Sequence, residues 1–187
     1  KASFALLDYL GRRLAGKPVA ALSMFPQYRA VQEAAGAERI HPADLWSVDW
    51  QWRELPSDTS VPPRALDAST RSAMEGHLLG IMRTPHPTLA AARMSEGCAG
   101  LGAAARDPQA ATLWKLASAV FEAQGQGLLG FDVFSKRMAS RLLAQYRVLE
   151  RGDNEVSERL AQDLLLFCAQ SAPPGSGRRA PRLAAAR

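Results

Sequence analysis

Apolar residues recur at helical spacing along most of the chain, and strand-like alternation is confined to residues 47–53. The clearest repeat has a residue on the same helical face every three or four positions, namely Phe134, Met138, Leu142, Tyr146 and Leu149. A similar repeat runs through Val156, Leu160, Leu164, Phe167 and Cys168. The pattern predicts an all-α fold, a multi-helix bundle.

Capping residues and turn formers divide this pattern into separate helices. Asp67, Asp107 and Asp132 each precede an apolar repeat, where a short acidic side chain can accept from free backbone N–H groups. Gly36 and Gly152 are placed to end helices in the left-handed conformation. Helices are predicted over 3–15, 18–36 with a restart at Pro26, 67–83, 87–104, 107–124, 132–150 and 155–171. Asn154 is the predicted cap of the last helix, after a sharp hairpin at 150–154, and Gly125, Gly127 and Gly130 are the predicted linker before Asp132.

Residues 37–66 differ from the rest, because they hold three of the four tryptophans and four prolines. One short helical turn at 42–47 is predicted, within an extended segment that packs on the bundle. Aromatic rings commonly pin such a segment to a helical core. The alternative is that Trp50 and Trp52 form a recognition surface for another protein.

Charge is unevenly distributed along the 187 residues, which carry 23 basic and 18 acidic side chains and have a pI near 9.7. Residues 172–187 contain four arginines and no acid, so residues 1–171 are almost neutral. A groove that binds phosphates of nucleic acid is therefore not indicated. We predict a helical domain over 1–171 and a basic Pro/Gly/Ala-rich linker over 172–187.

The two cysteines, Cys98 and Cys168, lie within apolar repeats, which is typical of inert core thiols in a reducing cytoplasm. Residues 1–4 show no signal peptide, and no apolar run approaches the roughly 20 residues of a membrane-spanning helix. We expect a cytoplasmic protein without membrane insertion. No metal-binding spacing of His or Cys is present, so neither a metal nor a cofactor is expected.

Of the three histidines, His41 and His86 adjoin prolines and are interpreted as loop or capping residues. His77 lies within a predicted helix, as does the phosphoacceptor of histidine phosphotransfer (Hpt) domains. Those domains carry the pattern His-x-x-Lys-Gly, whose lysine stabilises the phosphoryl charge. No lysine follows His77, because residues 78–80 are Leu-Leu-Gly. Phosphorylation of His77 is therefore the weaker of the two interpretations, and a structural histidine is the other.

The helix predicted at 132–150 has a basic face formed by Lys136, Arg137, Arg141 and Arg147. It is either a solvated face balanced by Glu150, Glu155 and Glu158 or a contact surface for an acidic partner. On the second interpretation, the candidate contact residues are Lys136, Arg137 and Arg141.

Three long stretches carry a resemblance to a known family. They are MFPQYRAVQEAAGAERIHPADLW at 24–46, DVFSKRMASRLLAQYRVLERG at 132–152 and VSERLAQDLLLFCAQ at 156–170. Together they resemble the N-terminal region of CheA-like hybrid sensor kinases of the ChpA or PilL type, from type IV pilus chemosensory systems. The related FimL scaffold family is similar to the same region, and the resemblance covers most of 20–170.

The resemblance implies an Hpt-like or pseudo-Hpt helical module with a structural role. It would act without catalysis, through protein partners such as response regulators, pilus-hub proteins or other chemosensory proteins, and would lie in the cytoplasm, at the cell pole through those partners. The parent chain would be a sensor histidine kinase with its ATP site elsewhere. The matching stretches contain no active-site residue, so no catalytic residue is implied.

Overall fold

The computed structural model describes residues 2–16, 21–38, 40–46, 50–56, 60–84 and 87–171. Within them the chain is helical and has no strand, which confirms the predicted all-α fold. The α-helices are α1 (Ala2–Leu14), α2 (Phe25–Ala34), α3 (Ala68–Arg83), α4 (Thr88–Ala104), α5 (Pro108–Gly125), α6 (Val133–Glu150) and α7 (Glu158–Ser171). Short 3-10 helices cover Ala21–Met24 and Pro42–Leu45. The predicted linker at 172–187 and His86 lie outside the described residues.

Contacts divide the chain into two compact units, of which the first ends at Trp50 and the second begins at Gln51. The first unit contains α1, α2 and the two 3-10 helices. Its second 3-10 helix is capped by His41, whose Nδ1 accepts from the Ala43 backbone at 3.1 Å. The predicted capping role of His41 is therefore confirmed.

The second unit is a ring of five helices in the order α3, α4, α5, α7, α6 and back to α3. Neighbours within α3–α4–α5 and within α3–α6–α7 are antiparallel, because the late residues of one helix meet the early residues of the next. Gly80 lies against Ala90 and Met74 against Gly97, Ala92 lies against Gly125 and Trp114 against Gly102, and the pairs Arg71–Glu150 and Glu75–Arg147 and the pairs Arg141–Asp163 and Gln145–Ser157 run the same way. Ser95 of α4 bonds Ser118 of α5, and Arg141 of α6 bonds Asp163 of α7. The seam that closes the ring joins Arg71 of α3 to Glu150 of α6. One end of the ring therefore contains the end of α3, the start of α4, the end of α5, the start of α6 and the end of α7.

The core of the ring is built around two large aromatic side chains. Trp114 of α5 and Tyr146 of α6 pack edge to face with centroids 5.9 Å apart, and both are almost fully buried. The Tyr146 hydroxyl donates to the Asp67 carbonyl at 2.8 Å, which ties α6 to the start of α3. Met138, Leu142 and Tyr146 are buried as the apolar repeat predicted.

Three predicted helix starts are confirmed by hydrogen bonds to the capping carboxylates. Asp67, Asp107 and Asp132 accept from backbone N–H groups three residues later, at 2.8, 2.7 and 2.7 Å. The predicted left-handed glycines are confirmed as well, with φ of 75° at Gly36 and 88° at Gly152.

The predicted start of the last helix was wrong. The structure begins α7 at Glu158, and the hydroxyl of Ser157, rather than Asn154, accepts from the Leu160 N–H at 3.2 Å. The reason lies on α6, where the Gln145 side chain donates to the Glu155 carbonyl at 2.7 Å and accepts from the Ser157 N–H at 3.0 Å. These two bonds hold the chain before Ser157 out of a helix.

The predicted glycine linker also needs one correction. Gly125 belongs to α5, and a Cβ at this position would lie 3.2 Å from the Ala92 backbone nitrogen of α4. Gly125 is therefore a point of close helix packing. Gly127, with φ of 73°, is the residue that turns the chain after α5.

Candidate interaction surface

The basic face of α6 divides into residues that have ion-pair partners and residues that have none. Arg147 reaches Glu75 of α3 at 2.9 Å, and Arg141 pairs with Asp163 of α7. Among the described residues, neither Lys136 nor Arg137 has an ion pair. The predicted balancing acids are not the observed partners, because Glu150 pairs with Arg71 instead.

Asp163 is the reason that Arg141 has a role in the fold although the Arg141 side chain is 42% exposed. The Asp163 carboxylate is 1% exposed, and Arg159 contributes a second ion pair to it at 3.2 Å. A buried carboxylate needs such compensation, since an isolated charge in the interior is costly. Arg141 therefore stabilises the α6–α7 contact, while the adjacent Lys136 and Arg137 have no such role in the fold.

His77 is half-buried on α3, between the fully buried Met74 and Ile81. Burial, together with the positive charges of Arg93 and Arg64, lowers the pKa of His77, and Glu96 opposes that change. A neutral imidazole is thus favoured at pH 7. The surroundings are rich in arginine but contain no lysine on the same helix face.

Gly80 occupies the position three residues after His77, where Hpt domains carry their lysine. A Cβ on Gly80 would lie 3.0 Å from the Ala90 Cβ of α4, because the two helices approach closely there. A lysine at this position would have to push α3 and α4 apart. Close packing of α3 on α4 therefore accounts physically for a small residue at this position.

The tryptophan-rich segment continues into the second unit at Gln51. Two side chains of α5 hold its backbone: the Thr112 hydroxyl donates to the Arg53 carbonyl at 3.0 Å, and the Lys115 ammonium donates to the Leu55 carbonyl at 2.7 Å. Leu55 is buried, and Trp50 and Trp52 are both partly buried. Residues 50–56 are without helix or strand, in agreement with the extended segment predicted here.

The cysteines are core residues, as predicted. Both thiols are buried, and burial raises the pKa of Cys168 to about 12 and that of Cys98 further. Protonated, inaccessible thiols are poor nucleophiles and poor metal ligands. Among the residues that the structure describes, no group of His, Cys, Asp and Glu could hold a metal ion, and no helix is long and apolar enough to cross a membrane.

A family model covers nearly all of the second unit. Residues 59–187 match the model described as FimL scaffold protein second domain. The chain belongs to this scaffold family. Neither the search of curated proteins nor the search of solved structures found a match. The resemblance to the FimL family is thus confirmed, and a relationship to ChpA- or PilL-type kinases stays a prediction.

The structure adds functional candidates that the sequence pattern did not reveal. Arg83 ends α3 without an ion pair among the described residues, and several leucines next to helix ends are exposed. Helical periodicity could not identify these leucines, because it predicts which face is apolar and not where a neighbouring helix stops covering it.

Proposed function

We propose that the chain is a non-catalytic scaffold module that brings together proteins of a type IV pilus chemosensory system. The observation that carries the proposal is the match of residues 59–187 to the FimL scaffold protein second domain. The buried thiols and the close packing at Gly80 fit this function, since they leave the arrangement around Cys98, Cys168 and His77 unsuited to covalent chemistry.

The partners that we propose are response regulators, pilus-hub proteins and other chemosensory proteins in the cytoplasm, which would bring the module to the cell pole. Lys136 and Arg137 are the contact residues best suited to an acidic partner, because the fold does not use their charges. Arg141 would act indirectly, by fixing α6 against α7. Trp50 and Trp52 are proposed as a second contact surface.

We also propose that the signalling pathway includes a CheA-like sensor histidine kinase, encoded in the same chain or as a separate partner. In either case the ATP-binding and phosphoacceptor sites lie outside these 187 residues. The function is then assembly of components, with phosphoryl transfer carried out by other domains.

A titration of the full chain tests the scaffold function. Each cognate response regulator and pilus-hub protein is added to labelled chain, and binding is followed by fluorescence anisotropy. We expect at least one of them to bind and the variant Lys136→Glu/Arg137→Glu to bind it more weakly. Failure of every one of these proteins to bind would contradict the scaffold proposal.

The same material separates the scaffold from a phosphotransfer domain. The chain is incubated with the kinase core and labelled ATP, with His77→Gln as the matched variant. We expect no acid-labile label on either protein. Label that appears on the wild-type chain and is absent from the His77→Gln variant would instead make His77 a phosphoacceptor.

A further inference from the structure

The five-helix ring has one end at which apolar side chains are left uncovered. In the described part of the second unit, the large apolar residues that are substantially exposed all lie near the end of α3, the start of α4, the end of α5 or the start of α6. They are Leu79, Leu89, Leu128 and Val133, at 49%, 70%, 41% and 50% exposure. These helix ends share one end of the antiparallel ring, which we call the open end.

Cations accompany these side chains at the open end. Arg83, Lys136 and Arg137 belong to the last turn of α3 and the first turns of α6, and none has an ion pair among the described residues. Two described acids lie at the same helix ends: Asp132, which accepts from the Ser135 N–H at 2.7 Å as the cap of α6, and Glu122 in the last turn of α5. The three cations therefore still outnumber the acids at the open end, by one charge.

We propose that the open end docks an acidic amphipathic helix of a partner protein. Charge complementarity selects the partner's sign, because carboxylates would neutralise Arg83, Lys136 and Arg137, whereas a basic segment would be repelled. Apolar residues repeated every three or four positions on such a helix would cover the uncovered side chains. The proposal rests on the scaffold function proposed above and specifies the chemistry of one partner.

An anionic membrane surface is the other class of ligand with matching chemistry. Interfacial binding usually uses one helix that lies flat and presents a continuous apolar face. Here the exposed apolar residues come from α3, α4, α6 and the loop after α5, so the apolar surface is distributed among helix ends. This distribution favours a protein segment over a bilayer.

A selection experiment tests the proposal without assuming a partner's name. The full chain selects binders from a displayed library of amphipathic helices of about 18 residues, with leucines fixed on one face and the flanking positions randomised. Competing selections use the variant Lys136→Glu/Arg137→Glu and the control Arg106→Glu/Arg151→Glu, which reverses two charges at the opposite end. Circular dichroism checks that each variant is folded, and Arg83→Glu replaces the first variant if it is not.

We expect Asp and Glu to be enriched at the flanking positions on the wild-type chain and on the control. The best synthetic peptide should bind the open-end variant about tenfold more weakly, with a matching loss at high salt. Absence of any binder, enrichment of Lys or Arg, or equal binding to the open-end variant would each overturn the proposal. So would binding to vesicles containing phosphatidylserine that depends on Lys136 and Arg137 when no peptide is selected.

These results separate this proposal from the scaffold function itself. If pilus-system proteins bind the chain and the open-end variant binds them equally well, the scaffold function stands and the open end is not the docking site. If none of them binds but acidic helices are still selected at the open end, the docking site stands and the proposed biological context is wrong.

Discussion

Among the described residues, ion pairs join neighbouring helices at one end of the five-helix ring and not at the other, although the first end also has cations without an ion pair, Arg106 and Arg151. At the end where α3 begins and α6 ends, Arg71 pairs with Glu150 and Glu75 pairs with Arg147, and the Tyr146 hydroxyl adds a hydrogen bond to Asp67. At the open end, Arg83, Lys136 and Arg137 have no ion pair among the described residues, and leucines are exposed beside them.

The difference teaches that one face of a helix can carry both a charge that forms an ion pair within the fold and a charge that stays available to a partner. Arg147 follows Lys136 by eleven residues, which is close to three full turns of α6, so the two side chains point in similar directions. What distinguishes them is the sequence of α3. It offers Glu75 to Arg147 and has no acid from there to its end at Arg83.

The largest expected effect comes from the aromatic core near the end where α3 begins and α6 ends. Replacing Trp114 with alanine should cost about 3–5 kcal/mol of unfolding free energy, because the side chain is 2% exposed and packs on Tyr146. The matched change at the open end is Leu89→Ala, which should stay within about 0.5 kcal/mol because the Leu89 side chain is 70% exposed. Urea denaturation measures both, and comparable losses would mean that the open end is packed.

Helix spacing gives the next largest effect. A leucine at Gly80 should destabilise the fold by about 1–3 kcal/mol, because even a Cβ would meet Ala90 at 3.0 Å. Gly76 on the same helix has nothing within 4 Å of its Cβ position, so Gly76→Ala should stabilise by about 0.5–1 kcal/mol. Thermal unfolding of both variants measures the two effects. A Gly80→Leu protein as stable as the wild type would contradict the close packing of α3 on α4 at Gly80.

Charge reversal along α6 compares the two ends directly. Arg147→Glu loses its pair with Glu75 and adds repulsion, which should cost about 1 kcal/mol at low salt and less at high salt. Arg137→Glu should change unfolding free energy by less than about 0.5 kcal/mol while weakening partner binding. Equal effects of the two reversals on unfolding free energy would contradict the distinction between Arg147, which stabilises the fold, and Arg137, which we propose binds a partner.

The smallest expected effect is a change in the pH dependence of stability at His77, which lies between the two ends on α3. The unfolded histidine binds a proton near its ordinary pKa of 6.5, whereas the folded pKa is lowered by burial and by Arg93 and Arg64. The stabilisation is therefore present above pH 6.5 and is lost as the pH falls towards the lower folded pKa. His77→Gln should reduce the dependence of unfolding free energy on pH below 6.5.

An NMR titration of the His77 imidazole supplies the control for that profile. We expect its midpoint to lie below 6.5 in the folded chain. A midpoint at or above that value would mean that Glu96 outweighs burial and the two arginines together in setting the pKa of His77.

Local signals in the sequence were enough to predict most helix boundaries. They were not enough to predict which charged residues of α6 have ion-pair partners. Asp67, Asp107 and Asp132 could be identified as caps because capping depends on residues three positions apart. The start of α7 could not, since Gln145 from the preceding helix determines it. Arg141 forms an ion pair and Arg137 does not, because only Arg141 reaches Asp163, 22 residues later in the sequence. Helical periodicity cannot predict a partner that lies on another helix.

The closed ring of helices also has a consequence for how the chain reaches its native state. The α3–α4, α4–α5 and α6–α7 pairs form between helices adjacent in sequence, so each requires only a short loop to close. The other two seams join helices distant in sequence: the α5–α7 seam joins residues 52 apart at Leu116 and Cys168, and the α3–α6 seam joins residues 79 apart at Arg71 and Glu150, and at Asp67 and Tyr146. We therefore expect hairpins to form first and seam closure to limit the folding rate, which makes Tyr146 and Glu150 the residues whose loss most slows folding.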